Sequence, residues 1–259
     1  MSFSYAEFLQ AVGLYFYPFV RIGAMLSIIP IFGVRAYPAR AKVLLAFFIT
    51  LVAAPALSLP PPVDPFSAQG IGYLLQQVVI GLAMGLMFLV VFQAFVMAGY
   101  LIAMGMGLAF AQMADPTSGV STPVVSQYFV IFVTLLFLAL NGHLLVLQVV
   151  IDSFDYLPVG TSLFTPQSLW TLVEFGGYMF SAGVLVALPA ITALLLINIA
   201  FGVVTRAAPA LNIFAVGFPV TLLAGLLMLA LTTPIILPHL QDLVHQAVQT
   251  LRQLQLHTP

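Results

Sequence analysis

The stretch IGYLLQQVVIGLAMGLMFLVVFQAFVMAGYLIAM, from Ile71 to Met104, contains no charged residue and decides the fold class of the chain. Its length and apolar character predict a membrane helix. At 1.5 Å of rise per residue such a helix reaches roughly 50 Å, whereas the hydrocarbon core of a bilayer is about 30 Å thick. We therefore expect this helix to tilt, to break near Gly99 or to project beyond the bilayer.

The composition of the whole chain extends this interpretation to the other segments. Hydrophobic residues make up 63% of the 259 residues and charged residues 5%, against roughly 45–50% and 25% in soluble domains. Five further apolar runs are each long enough to span a bilayer as a helix: Phe8–Phe32, Val43–Leu59, Val124–Ile151, Tyr178–Val204 and Ile213–Leu237. The sequence predicts an all-α, polytopic membrane protein of about six long helices, kinked at prolines such as Pro189, Pro219 and Pro234.

The basic residues of the connectors predict the orientation of these helices. Arg35, Arg40 and Lys42 lie in the connector between the first two runs, and Arg206 lies between the last two. Short connectors that are rich in Lys and Arg face the cytoplasm. We expect both connectors to be cytoplasmic, with the two chain termini on the opposite side.

Several classes of function lack the residues that they need. The six Lys and Arg residues are scattered, so no basic stripe predicts binding of nucleic acid. The chain has no cysteine, no HExxH, GxSxG or Walker sequence, and no His or carboxylate at metal-ligand spacing from His143. All seven acidic residues lie outside the apolar runs, which argues against proton coupling. We expect no catalytic site, no metal and no cofactor.

Small residues recur at a spacing that favours close helix packing. Gly81 and Gly85 form a GxxxG pair, and Gly217, Thr221 and Gly225 continue the same spacing in the last run. The pattern predicts tight contacts, either within one chain or between chains.

Three polar side chains lie within the apolar runs. Arg21 is in the first run, where a charge costs about 2.5–3.5 kcal/mol unless it is paired or reaches water. It either packs inside the bundle or at an interface, or it lines a pathway. For His143 and Asn198 we expect hydrogen bonds between helices, and a proton or metal at His143 is the weaker alternative.

The residues after the last run have the pattern of an amphipathic helix. Their apolar members recur at helical spacing among Gln, Asp, His and Arg: Leu240, Leu243, Val244, Ala247, Leu251 and Leu254. This tail, residues 238–259, either lies on the membrane or its own bundle, or docks a partner helix.

One segment resembles a known family. The stretch TRAAPALNIFAVGFP, from Thr205 to Pro219, closely resembles the signature of the flagellar biosynthesis protein FliR family, which virulence type III secretion systems share. Weaker matches run from about residue 10 to 237 and include Pro30-Ile31-Phe32-Gly33, Asp115-Pro116 and Asn141-Gly142-His143. Ala210 and Thr221 depart from the pattern, because a polar residue and a Lys are usual there.

The resemblance implies a non-enzymatic subunit of the type III protein-export gate in the bacterial inner membrane. Family members assemble with FliP and FliQ homologues, with FlhB and FlhA homologues as further partners, around the path of unfolded export substrates. Residues 1–237 would form one helical domain, FliP-like up to about residue 165 and FliQ-like as a hairpin over 166–237. Much of the gate would be raised toward the periplasm.

The resemblance also suggests which residues serve the gate. The connector from Gly105 to Pro123 is either an ordinary surface loop or a plug that fills the gate's centre, and the family favours the plug. The candidate plug residues are Met104, Met106, Phe110, Met113, Asp115, Pro116 and Gly119. The candidate assembly and packing residues are Arg21, His143, Arg206, Pro209, Asn212, Phe214, Gly217 and Pro219. Two other functions stay open: a stand-alone polytopic small-molecule transporter and an assembly scaffold.

Overall fold

A computed structural model describes residues 5–33, 38–65, 67–108, 123–160, 165–207 and 213–253 of the chain. These residues form eight α-helices and one 3₁₀ turn, Ala54–Ala56, without a β-strand. The helices are α1 Tyr5–Ile28, α2 Pro30–Gly33, α3 Ala39–Ala53, α4 Ala68–Gly105, α5 Val124–Ala139, α6 Gly142–Tyr156, α7 Pro166–Ala207 and α8 Ile213–Gln253.

The helices confirm the prediction of an all-α polytopic membrane protein. Five of the described helices are long and apolar enough to cross a bilayer, and the bent pair α5 and α6 can count as a sixth span. This pair corresponds to the fourth apolar run. The run is interrupted at Asn141, which adopts the left-handed conformation with φ of 57°. Asn tolerates that conformation better than most residues because its short polar side chain can bond locally.

Three helices are longer than a bilayer requires, although the sequence predicted this only for the third run. Helix α4 has 38 residues, α7 has 42 and α8 has 41, so each extends for about 57–63 Å. Helix α7 starts early because the hydroxyl of Thr165 accepts a hydrogen bond from the Ser168 backbone amide and Pro166 occupies the first helical position. These first turns are polar enough to fall outside the apolar run.

The chain separates into two units, each with its own internal packing. Unit 1 contains Met1–Val90, Leu138–Gly176 and Val244–Pro259, and unit 2 contains Val91–Phe137 and Gly177–Leu243. Helix α4 is the most buried of the candidate spans, with 56% of its apolar window inside the protein, against 22% for α7 and 28% for α8. Helix α4 therefore contributes strongly to the packing of each unit, and the long helices α7 and α8 carry most of their apolar side chains outward.

The predicted amphipathic tail is the continuation of α8. The helix passes residue 238 without a break and runs to Gln253. Four members of the predicted apolar stripe are at most 5% exposed: Leu240, Leu243, Ala247 and Leu251. These four side chains thus pack within the protein, and docking of a partner helix by the tail stays a prediction.

Candidate functional site

Arg21 lies in the middle of a hydrogen-bonded cluster in unit 1. Its Nε donates to Oε1 of Gln77 at 2.8 Å, Nη1 donates to Oγ of Ser153 at 2.9 Å, and Nη2 donates to the carbonyl oxygen of Leu157 at 2.7 Å. The guanidinium carbon also lies 3.9 Å from the centre of the Phe154 ring. We call these five residues the Arg21 cluster.

The Arg21 cluster holds a charge with neutral groups. Arg21 is fully buried, and the three oxygen atoms named above are those of an amide, a hydroxyl and a backbone carbonyl. Hydrogen bonds to an ionised group are about twice as strong as those between neutral groups, and an arginine over a ring face adds cation–π attraction. The cluster ties α1 to α4 and to the end of α6. This geometry supports packing inside the bundle for Arg21.

Two glycines of α4 allow this cluster to form. A Cβ atom on Gly81 would overlap the carbonyl oxygen of Arg21 and lie 2.8 Å from the Cβ of Ala24. A Cβ on Gly85 would lie 2.9 Å from the carbonyl oxygen of Met25. The GxxxG pair therefore serves a close crossing of α1 and α4 within one chain.

In unit 2 the last turn of α4 is held by side chains from two other helices. Nδ2 of Asn198 in α7 donates to the carbonyl oxygen of Gly105 at 3.2 Å. Oγ1 of Thr221 in α8 shares its proton between the carbonyl oxygen of Met106 at 3.2 Å and that of Phe218, in its own helix, at 3.0 Å. Gly107 follows with φ of 80°, a conformation that favours glycine. The last carbonyls of a helix lack partners within the helix, so these two side chains supply them. We call Gly105, Met106, Asn198 and Thr221 the α4 anchor.

Side-chain packing reinforces the α4 anchor. Met106 is 1% exposed, and a Cβ added to Gly225 would lie 2.6 Å from its sulfur atom. A Cβ on Gly105 would lie 3.1 Å from the Cδ1 of Leu194. The small residues at positions 221 and 225 thus fit the end of α4 within the same chain. The anchor lies immediately before residues 109–122, which form most of the connector that the sequence predicts as a plug or a loop.

Comparison of the amino-acid sequence with known proteins identifies the family of the chain. The family model described as bacterial export proteins, family 1, matches residues 12–247. The chain belongs to this family. It is 40% identical to the flagellar biosynthetic protein FliR of Pectobacterium carotovorum subsp. carotovorum, over 97% of this chain and 96% of that protein. It is 38% identical to FliR of Escherichia coli (strain K12), over 92% and 90%, and 27% identical to FliR of Bacillus subtilis (strain 168), over 91% and 92%.

Membership of the bacterial export proteins confirms the resemblance that the segment from Thr205 to Pro219 suggested. It makes the chain a membrane protein of flagellar biosynthesis and protein export, and not an enzyme. Among the described residues of this export protein no group of three or more His, Cys, Asp or Glu side chains could hold a metal ion.

The candidate plug residues of this export protein fall into three groups. Met104 is 52% exposed, whereas Met106 is buried in the α4 anchor, so the two methionines do not share a surface. The others lie outside the described residues: Phe110, Met113, Asp115, Pro116 and Gly119. The plug therefore stays a prediction.

The candidate assembly residues are also spread over the molecule. Arg206 is exposed in the last turn of α7, Gly217 is buried in α8, and Pro219 inside α8 is exposed. Pro209 and Asn212 lie outside the described residues, and Phe214 lies in α8 within a stretch whose side chains are not described. Their proposed capping of the turn between α7 and α8 stays a prediction.

For His143 the described residues supply no hydrogen-bond partner at Nδ1, so the bond between helices stays a prediction. Its ring is half-buried at the start of α6, and its Nδ1 is buried without a hydrogen-bond partner among the described residues. Asn198, by contrast, makes the predicted bond between helices.

Sequence reasoning missed Gln77 and Ser153, the side-chain partners of Arg21. A signal for Gln77 was present, because Gln76 and Gln77 interrupt a charge-free apolar run and a buried arginine needs acceptors. For Ser153 the signal was weaker, because serine is common near helix ends.

Proposed function

We propose that the chain is a subunit of the flagellar type III protein-export gate of the bacterial inner membrane. It assembles there with FliP and FliQ homologues around the path of unfolded flagellar subunits, and part of it projects toward the periplasm. Family membership supports the export role. The proposal for assembly is carried by the surface of α7.

Helix α7 exposes large apolar side chains over more length than a bilayer can cover. These side chains run from Leu169, 49% exposed, and Trp170, 55% exposed, to Val203, 63% exposed. They extend over about 50 Å, against about 30 Å of hydrocarbon. Exposed apolar surface of this extent marks an interaction site. The part of α7 beyond the lipid is therefore covered by other subunits.

The test is purification of the tagged chain from its own host, followed by native mass spectrometry. We expect FliP and FliQ homologues to co-purify with it in a fixed ratio. Recovery of a stable solitary chain from cells that produce both homologues would contradict assembly and favour a stand-alone transporter.

Substitutions on α7 locate the covered part. The pairs Trp170→Gln with Val173→Gln, and Leu196→Gln with Ile199→Gln, change exposed side chains near the two ends of the helix. We expect one pair to lower the yield of the complex while the chain itself is still produced. If neither pair changes the recovery of FliP and FliQ, α7 is not the assembly surface.

We also propose that the connector after α4 is the gate's plug. Its base is the α4 anchor, which holds the last described turn before it through Asn198 and Thr221. Methionines and phenylalanines of the connector provide deformable apolar contacts that seal the path while it is idle. A seal of this kind must yield to a polypeptide during export, so a fixed base and a deformable segment suit it.

Deletion of residues 111–121 tests the plug. Cells that produce the whole gate with this deletion should become leaky to small solutes, while the complex assembles in normal amount. A complex of normal yield that remains as tight as the parent would show that the connector is an ordinary loop.

A further inference from the structure

A groove with a volume of about 320 Å³ lies on the surface of unit 1, between α1 and α3. Its walls are the rings of Tyr15, Phe16, Phe19 and Phe47, with Leu51 beside them. The volume is within the roughly 300–1,000 Å³ of small-molecule sites. Phe16 is 38% exposed and Phe47 is 50% exposed, so the groove is open at the surface.

The chemistry of the groove fits a hydrocarbon chain. Thr50 also lines it, but its hydroxyl donates to the carbonyl oxygen of Ala46 in its own helix at 2.7 Å. The middle of the groove therefore presents carbon atoms. Both α1 and α3 belong to candidate membrane spans, Glu7–Ile28 and Ala39–Ala56, so we expect the groove to face the bilayer.

A single cation lies in line with the groove on α3. Arg40 is exposed in the first turn of α3, seven residues before Phe47 and eleven before Leu51. Residues at these spacings lie within about 20° of one line along a helix, and Arg40 is about 10 Å along the axis from Phe47. Lys42 is displaced from Phe47 by about 140° around the same helix. Arg40 thus lies on the groove-lining face of α3, about two helical turns before the aromatic walls.

We infer that this groove binds one phospholipid with an anionic headgroup. The guanidinium of Arg40 donates to the headgroup phosphate, and an acyl chain lies between α1 and α3 against the four rings. Arginine is suited to phosphate because its planar fork can donate two parallel hydrogen bonds. The basic connector before α3 predicts that this end faces the cytoplasmic leaflet, whose anionic lipids supply the occupant.

Quenching of a single tryptophan by brominated lipids measures this binding directly. Trp170 is the only tryptophan of the chain, and Trp170→Phe provides a background without tryptophan fluorescence. In this background Phe16→Trp places the reporter in the groove. Val52→Trp places it on the outer surface of α3, where Val52 is 82% exposed. The full chain is reconstituted in phosphatidylcholine vesicles with a minor fraction of brominated phosphatidylglycerol or of brominated phosphatidylcholine.

We expect the groove reporter to sense an enrichment of brominated phosphatidylglycerol of about fivefold, the effect of one basic residue near an anionic surface. The outer reporter should be quenched equally by both lipids. Adding Arg40→Gln should abolish the preference at Phe16→Trp, whereas the matched charge removal Lys42→Gln should retain it.

Three results would overturn the inference. Equal quenching of Phe16→Trp by the two lipids would mean that the groove does not select an anionic headgroup. Equal loss of preference in Arg40→Gln and Lys42→Gln would mean a general attraction to the basic end of α3. No quenching in the groove by either lipid, with normal quenching at Val52→Trp, would mean that lipid does not enter. Phe47→Trp, on the opposite wall, repeats the measurement if Phe16→Trp does not fold.

Discussion

The Arg21 cluster and the α4 anchor hold different parts of the same helix by different chemistry. In unit 1 a fully buried guanidinium donates to three oxygen atoms of α4, α6 and the residue after α6. In unit 2 the direction is reversed, because the backbone carbonyls of Gly105, the last residue of α4, and of Met106, the next residue, accept hydrogen bonds from two neutral side chains. One arrangement depends on a charge and the other does not.

This difference has consequences for stability and for function. Removal of an acceptor from a buried charged group costs about 1.5–3 kcal/mol. Removal of a neutral donor between membrane helices costs about 0.6 kcal/mol on average, with about 1.7 as the largest value. We therefore expect unit 1 to be firmly held near Arg21, and the base of the proposed plug to be held by small contributions that can be exchanged during export.

The largest loss of stability should come from a substitution where α1 and α4 cross, next to the Arg21 cluster. In Gly81→Leu the new Cβ would overlap the carbonyl oxygen of Arg21, which is backbone and cannot move aside alone. Overpacking typically costs about 1–3 kcal/mol and here also breaks a buried hydrogen-bond cluster. We expect little monodisperse protein in size-exclusion chromatography.

Gly72→Leu is the matched control for this prediction. It makes the same substitution in the same helix, where a Cβ meets no heavy atom within 4 Å beyond the neighbouring backbone of α4 itself. It should be recovered like the parent. Equal recovery of the two variants would show that α1 and α4 do not cross closely at Gly81.

A smaller effect should follow from changing an acceptor of Arg21. Gln77→Leu removes the oxygen atom that accepts from Nε at 2.8 Å and should destabilise the chain by about 2 kcal/mol, the range for hydrogen bonds to charged groups. Gln77→Glu keeps an acceptor and adds a compensating charge, so it should cost clearly less. Titration with SDS in mixed micelles measures both. If Gln77→Glu is as unstable as Gln77→Leu, the cluster does not act by stabilising the charge of Arg21.

The fold could be predicted from the sequence to a greater extent than the two clusters. Apolar runs locate membrane helices because lipid requires every backbone group to bond within its own segment. The overlong α4 followed from the same argument, but the early start of α7 depended on the Thr165 cap, a local bond between polar residues.

The apolar pattern could not predict which helices contact each other. Arg21 and Ser153 are 132 residues apart in the chain, and nothing in an apolar pattern specifies that pairing. The glycine spacing at Gly81 and Gly85 predicted a close contact but not its partner. Asn198 was the exception, because a lone amide in an apolar run needs a partner on another helix.

The next largest loss of stability should come from a substitution in the α4 anchor. Thr221→Val preserves the shape of the side chain and removes the donor to the Met106 carbonyl, so the free energy of unfolding should fall by about 1 kcal/mol. Thr192→Val is the control. Both hydroxyls bond within their own helix, Thr221 to Phe218 at 3.0 Å and Thr192 to Leu188 at 2.8 Å, but exposed Thr192 has no bond to another helix among the described residues. A loss in Thr192→Val equal to that in Thr221→Val would indicate that the contact with Met106 contributes nothing.

The smallest loss of stability from a single substitution should come from Asn198→Leu. This variant is most informative when it is combined with Thr221→Val. Asn198 is exposed and its bond to Gly105 is 3.2 Å long, so about 0.6 kcal/mol is expected.

The two acceptors are neighbouring carbonyls of one helical turn. If the anchor acts as a unit, loss of one donor loosens that turn. The hydrogen bond of the second donor then contributes less to stability. The double variant should then be more stable than the sum of the single losses predicts, by about 0.5 kcal/mol or more. Additive losses in the same SDS titration would show two independent hydrogen bonds. In that case the end of α4 is not held as one unit, and the proposed base of the plug is weaker than a single anchor.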